Sequence, residues 1–320
     1  MENEALKRGE AMKLVAIVGA TATGKTRLGV AVAHALGSEI LSADSRQVYR
    51  GLDIGTGKDL GDYAATTPAV PYHLIDIVDP GETYTLYRYQ RDCYALLEEL
   101  RRRAPFTGTN AVPPVLVGGS ALYIAAVLAD YRIPDVPEDP ALRAELAQRD
   151  LEELRAELVE RYPAISAETD VSTKGRVIRG LEIGAFTKGG PIPYAPPLSF
   201  DLDVQVFCVG VERAELHRRI DARLAERLDA GLIEEVQGLL EAGVSEHWLR
   251  RLGLEYVQVC AHLAGEKDRD ELQRDLAAAI HNFAKRQETW FRGFPAKRGI
   301  PLTRIGPRDE AVVLDALGRA

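Results

Sequence analysis

The chain has 320 residues, 46% hydrophobic and 28% charged, a balance expected of a globular protein built as one large domain or a core with one appendage. No apolar stretch approaches the ~20 residues that span a bilayer, and the acidic start Met1-Glu2-Asn3-Glu4 lacks an apolar leader run, so neither membrane segment nor signal peptide is expected. A formal charge of −8 excludes a surface coated in positive potential, although local basic stripes are present.

In chain order, the apolar run Leu14-Val15-Ala16-Ile17-Val18 predicts a strand. It leads into Gly19-Ala20-Thr21-Ala22-Thr23-Gly24-Lys25-Thr26, which fits the phosphate-cradling pattern G-x-x-x-x-G-K-[ST] without mismatch. Glycines there let the backbone turn and present N–H groups to an anion, and a helix starting near Gly24 adds its positive end. Lys25 can reach terminal phosphates, and the Thr26 hydroxyl can ligate Mg²⁺. A second strand, Glu39–Ala43, runs into Asp44-Ser45-Arg46-Gln47-Val48-Tyr49, and a short third is expected over Tyr72–Asp76. A helix follows from Leu86 to Arg103, then Val115-Leu116-Val117 ends at Gly118-Gly119-Ser120, with a helix from Ala121. This alternation predicts an α/β fold: a parallel sheet covered by helices, with ligand groups collected at the strands' carboxyl ends.

From about Ile133 the composition changes, with Pro134 and Pro137 opening a charged helical stretch over Ala141–Arg161 and Gly189-Gly190-Pro191-Ile192-Pro193 closing it. Residues 133–200 therefore read as an inserted, mostly helical subdomain, and residues 1–132 and 201–320 as the core. A strand over Val204–Val209 returns the chain to that core, followed by helices over Arg213–Glu241, Trp248–Leu263 and Arg269–Arg292. Cys93, Cys208 and Cys260 show no metal or disulfide spacing, so buried reduced thiols and a cytoplasmic location are expected.

Asp44 is open to three roles: general base, magnesium ligand, or cap of its own loop. Gln47 and Tyr49 stand close enough in sequence to bind or stack on a base. Asp76 and Asp79 read as a metal-supporting strand end or, as well, an ordinary strand-to-turn junction, and His73 as structural. Arg219 and Arg223 share a helix face and can clamp a pyrophosphate or simply face solvent beside Asp221 and Glu226; Arg213 lies six residues before Arg219. Two basic stripes, Lys174-Gly175-Arg176 with Arg179, and Lys285-Arg286 with Arg292, Lys297 and Arg298, could bind nucleic acid, but taken alone each is better explained as a solvated helix face. Tyr256, Phe283, Trp290 and Phe291 are core by default.

Together these segments resemble the tRNA dimethylallyltransferases (tRNA isopentenyltransferases) over roughly residues 13–293. The phosphate loop looks like that family's GPTASGKT with Ala20 for proline. Ser42 to Thr56 is similar to SADSxQVYRGMDIGT, His73-Leu74-Ile75-Asp76 to HLID, Val117 to Tyr123 to VGGTxLY with Ser120 for threonine, and Ala284 to Arg292 to AKRQxTWFR. The resemblance implies transfer of a dimethylallyl group from dimethylallyl diphosphate to N6 of the adenosine 3′ of the tRNA anticodon, by a monomer using Mg²⁺ on Thr26. It implies that Lys25 and Arg223 hold the diphosphate with the loop, that Asp44 is the base, and that Ser45, Arg46, Gln47 and Ser120 hold the adenine. Arg143, Arg176, Arg179, Lys285 and Arg286 would then contact the anticodon stem-loop. Departures fall at Ser172-Thr173-Lys174 and Gly180, at Leu252-Gly253-Leu254-Glu255-Tyr256 where IGYxE is usual, and at Ile280-His281 for Thr-Arg. Rivals are an isopentenyltransferase acting on free adenylate and a small-molecule kinase with ATP on the same loop.

Overall fold

The structure is a computed structural model that describes residues 9–103, 105–106, 111–129 and 131–318; residues 1–8, on which the expectation about a leader falls, lie outside the described residues. In chain order its elements are β1 (Gly9–Gly19), α1 (Lys25–Leu36), β2 (Ile40–Ala43), α2 (Leu60–Ala64), β3 (Tyr72–His73), α3 (Leu86–Arg102), β4 (Val115–Gly118) and α4 (Ala121–Leu128). Then come α5 (Pro140–Leu146), α6 (Leu151–Arg161), α7 (Pro163–Glu168) and α8 (Lys174–Thr187). The chain finishes with β5 (Phe200–Val209), α9 (Arg213–Asp229), α10 (Leu232–Glu241), α11 (Glu246–Leu252), α12 (Glu255–Leu263), α13 (Arg269–Arg298), β6 (Leu302–Ile305) and α14 (Glu310–Ala316).

The chain divides into two compact units, residues 1–131 with 197–320, and Arg132–Pro196. In the first, six parallel strands lie in the order β3-β2-β4-β1-β5-β6. The continuous apolar character of β1 follows from its central place, because both its faces are covered. Leu14, Ala16 and Val18 join the core under α3, α4, α9, α12 and α13, whereas Val15 and Ile17 pack with Leu28, Val32 and Ala33 of α1 and Val313 of α14. The second unit is held by its own apolar cluster, centred on Leu154 and Leu158 of α6 and Val177 and Leu181 of α8.

Several expected elements are divided. The helix over 213–241 breaks at Ala230-Gly231, and that over 248–263 breaks at Gly253-Leu254, where Leu254 takes φ 41°. The stretch 141–161 is two helices, and β3 is only two residues long because Leu74 and Asp76 turn to positive φ. Conversely, β5 starts at Phe200 rather than Val204, and α13 runs through Pro295 to Arg298.

Candidate active site

The phosphate loop leaves β1 and turns through Ala22 (φ 60°) and Gly24 (φ 88°) before α1 begins at Lys25. Gly24 suits this left-handed position, which a side chain would strain. The loop is tied internally, Thr23 Oγ1 donating to the Ala20 carbonyl at 2.9 Å and Lys25 Nζ to the same carbonyl at 3.2 Å. Its outer edge is fastened by Gln287 of α13, whose Oε1 accepts the Thr21 N–H and whose Nε2 donates to the Gly119 carbonyl, both at 2.9 Å.

Asp44 follows β2 directly, and its Oδ1 accepts the Arg46 N–H at 3.0 Å. The loop-cap role is therefore real, and it leaves the second carboxylate oxygen for other work. Ser120, after β4, donates its N–H to the Ala43 carbonyl at 3.1 Å and accepts the Ser45 N–H on Oγ at 2.9 Å. Gln47 donates to the Gly57 carbonyl at 3.1 Å. Arg46 is ion-paired with the buried Glu255 of α12 and stands 5.8 Å over the Phe283 ring. Burial opposes the charge on Arg46, yet Glu255 overrides it and the guanidinium titrates above its ordinary range.

One cavity is lined by Lys25, Thr26, Asp44, Arg46, Gln47 and Arg223, with Phe283 and Gln287 closing it from α13. A second, of about 310 Å³, lies on the other side of Lys25 and Thr26 and is bounded by Asp59, Arg219, Arg223 and Arg308. Arg223 lines both; it is ion-paired with Asp59 and reaches the Gly57 carbonyl at 3.4 Å. Burial pushes the Lys25 ammonium down to about 8, Asp44 working against that shift and Arg223 with it. So the loop, Asp44 and Arg223 meet at one place, as the sequence led us to expect, while Arg213 lines neither cavity.

Other expected residues lie apart. Asp76 pairs with Lys58, a fully buried cation that also donates to the Tyr49 carbonyl at 2.8 Å and Asp53 at 2.5 Å. Asp79 pairs with Arg50 at 2.8 Å, and His73 with Glu39 at 2.7 Å, and none of the three lines either cavity. Among the described residues no cluster of three or more His, Cys, Asp or Glu is set to hold a metal. Lys285 and Arg286 are exposed on α13. In the second unit Arg143 grips Glu182 with two 2.9 Å hydrogen bonds, and Arg179 pairs with the same carboxylate while donating to the Val136 carbonyl at 2.7 Å. Arg176 pairs with Asp170 on an exposed face. Gln287, Arg227 and Glu255 were not singled out from sequence. Only Gln287 left a signal there, a polar residue in the otherwise apolar stripe Ile280, Ala284, Phe291, Phe294.

The description IPP transferase fits residues 47–294, and Isopentenyl transferase fits residues 12–68. The chain belongs to the IPP transferase family. Among relatives of this IPP transferase, the tRNA dimethylallyltransferase 2 of Syntrophotalea carbinolica is 48% identical over 284 residues, covering 87% of this chain and 89% of its own. The tRNA dimethylallyltransferase 1 of Porphyromonas gingivalis is 43% identical over 302 residues, covering 93% and 96%. Among solved structures, the tRNA isopentenylpyrophosphate transferase of Bacillus halodurans superposes with a TM-score of 0.67 at 31% identity over 96% of each chain. A eukaryotic dimethylallyltransferase acting on tRNA shares the fold, with a TM-score of 0.73 at 21% identity over 97% of this chain and 81% of its own. The six-stranded parallel sheet, and membership of a prenyl-transferring family, agree with the reading from sequence. Among the described residues no helix is long and apolar enough to cross a membrane.

Proposed function

We propose that this IPP transferase moves a dimethylallyl group from dimethylallyl diphosphate to N6 of the adenosine 3′ of the anticodon in tRNA, releasing diphosphate. The observation that carries this reading is the meeting, in one cavity, of an anion-binding loop with a carboxylate: Lys25, Thr26 and Arg223 beside Asp44. The relatives' names supply the dimethylallyl group and tRNA, and the family resemblance supplies the acceptor adenosine.

The chemistry asks for both parts. The exocyclic amine of adenine is a weak nucleophile, so the electrophile must supply the reactivity. An allylic C–O bond breaks towards an allyl cation when the departing diphosphate is stabilised. The loop N–H groups, the Lys25 ammonium and the Arg223 guanidinium would do so, Lys25 and Arg223 exchanging their present partners, the Ala20 carbonyl and Asp59, for the diphosphate. The free oxygen of Asp44 can take the N6 proton as the C–N bond forms. Ser45, Arg46, Gln47 and Ser120 would frame the adenine, which must leave its stack to enter.

Thr26 lies on both cavities with Asp44 on one side and Asp59 on the other. This all-oxygen donor set fits Mg²⁺, which keeps several waters and takes one or two protein oxygens. Bound there, the ion would supply Lewis-acid stabilisation of the diphosphate oxygens. Arg143, Arg176, Arg179, Lys285 and Arg286 are the candidate RNA contacts, and three buried free cysteines support a reducing cytoplasm as the place of action. We take the working form to be a monomer.

The test is Asp44→Ala. Transfer should be abolished while tRNA affinity stays within about twofold of wild type; strong residual turnover would remove Asp44 from the mechanism.

A further inference from the structure

Arg227 stands on α9 one turn beyond Arg223, so the two guanidinium groups share a helix face. It lines the same cavity as Lys25, Thr26 and Asp44, and its side chain is only 14% exposed. Its place is made by Gly57 (φ 59°): a Cβ there would lie 1.6 Å from Arg227 Nη2. The turn carrying Gly57 is itself fixed by Glu235, which accepts the N–H groups of Asp53, Ile54 and Gly55 at 2.6–3.0 Å.

The counter-charge at Arg227 is incomplete. Glu255 is 3.5 Å away through Oε1, but its other oxygen accepts from Arg46, and Glu255 is 3% exposed. One buried carboxylate thus serves two nearly buried guanidinium groups. Burial, then the neighbouring Arg223, pull the Arg227 pKa down to about 10, against the opposing pull of Glu255 and Asp59. Such a group costs stability in an empty cavity and gains strongly when an anion enters.

We propose that Arg227 is a further diphosphate-binding residue of this chain, a third cation beside Lys25 and Arg223, aimed by Glu255 as its positioning residue. The inference rests on the reading of this cavity as a diphosphate site. The other oxygen of the Glu255 carboxylate accepts from Arg46, whose backbone N–H is accepted by Asp44. The leaving group and the acceptor loop are then set by one buried side chain.

The competing account is a purely structural staple between α9 and α12, and it makes opposite predictions. The experiment is calorimetric titration of inorganic pyrophosphate, in the presence of Mg²⁺, into wild type, Arg227→Met and Arg227→Lys, with thermal melting of each. Wild type should bind. Arg227→Met should bind roughly 10- to 100-fold more weakly, the loss expected for one hydrogen bond to a charged group. It should melt no lower than wild type, because Glu255 keeps Arg46 as its partner. Arg227→Lys, which keeps charge but loses the planar fork, should fall between them. Pyrophosphate affinity within twofold of wild type in Arg227→Met, or wild-type affinity in Arg227→Lys, would overturn the inference. Failure of wild type to bind pyrophosphate would overturn the cavity reading beneath it as well.

Discussion

Gln287 accepts the backbone N–H of Thr21 at 2.9 Å across 266 residues of sequence, and the same amide donates to the Gly119 carbonyl. One side chain of α13 thereby fastens the phosphate loop to the turn that carries Ser120. Gln287→Ala leaves two polar groups in a buried place without partners, at a cost of about 1–3 kcal/mol each. Gln287→Glu should be worse for anion binding, since it puts a carboxylate against the Gly119 carbonyl and beside the diphosphate. Pyrophosphate titration should rank wild type above Gln287→Ala above Gln287→Glu. Equal affinity in all three would show that the loop holds its shape unaided.

Lys25 provides a pH test. Its folded pKa, about 8, is below its ordinary value of 10.5, so between these values the unfolded chain binds the proton that the folded chain has lost. In the unliganded protein the penalty for burying the ammonium is present below about pH 8 and is relieved as pH rises through that window. Diphosphate binding has the opposite requirement, because it needs the cation. Pyrophosphate affinity should therefore decline above about pH 8, with proton uptake on binding, and Lys25→Met should remove that part of the pH profile. A Lys25→Met profile parallel to wild type would assign the decline to another group.

The Ser120 hydroxyl is the acceptor for Ser45 N–H at 2.9 Å. Ser120→Ala should cost about 1 kcal/mol of stability and lower kcat by loosening the turn that holds Asp44. Ser120→Thr, which keeps the oxygen, should restore both. If threonine and alanine behave alike, the hydroxyl is not what positions this loop.

In the inserted unit, Glu182 is the hub for Arg143 and Arg179. Burial opposes its charge, but hydrogen bonds from Arg143, the Asp139 N–H and Arg179 prevail, and its carboxyl titrates below the ordinary range. That contribution is present above the unfolded value of about 4.3 and is lost as pH falls through the lower folded one. Arg143→Ala should consequently destabilise the unit as well as weaken tRNA binding. Arg176→Ala, on an exposed face, should weaken tRNA binding alone. Melting curves paired with filter binding separate the two, and a large stability loss in Arg176→Ala would contradict this division.

The strand–loop–helix at Gly19–Thr26, the placement of Asp44 and Ser120 after strands, and the helical insertion were legible because they depend on local pattern. Helix breaks at Gly231 and Leu254 were not, since a periodic apolar stripe continues across them. The short β6 (Leu302–Ile305), only partly covered, offered little contrast with its surroundings, yet it completes the sheet beside β5. Asp76 read equally as a metal-supporting strand end or an ordinary strand-to-turn junction, because its partner, Lys58, is brought to it only by the turn at positive φ. Arg227 and Glu255 meet through α9 and α12, 28 residues apart; Arg227 belongs to no motif, and Glu255 stands in the 252–256 segment only as part of a departure from one. Contacts set by tertiary packing leave no period in the sequence.

The most direct measurement is incubation of the purified protein with radiolabelled dimethylallyl diphosphate and Mg²⁺, offering unmodified tRNA in one reaction and AMP in another. We predict label in a tRNA nucleoside that co-elutes with N6-isopentenyladenosine and none in AMP. Label in AMP alone, or no transfer together with phosphate passed from ATP to a small molecule, would contradict the account.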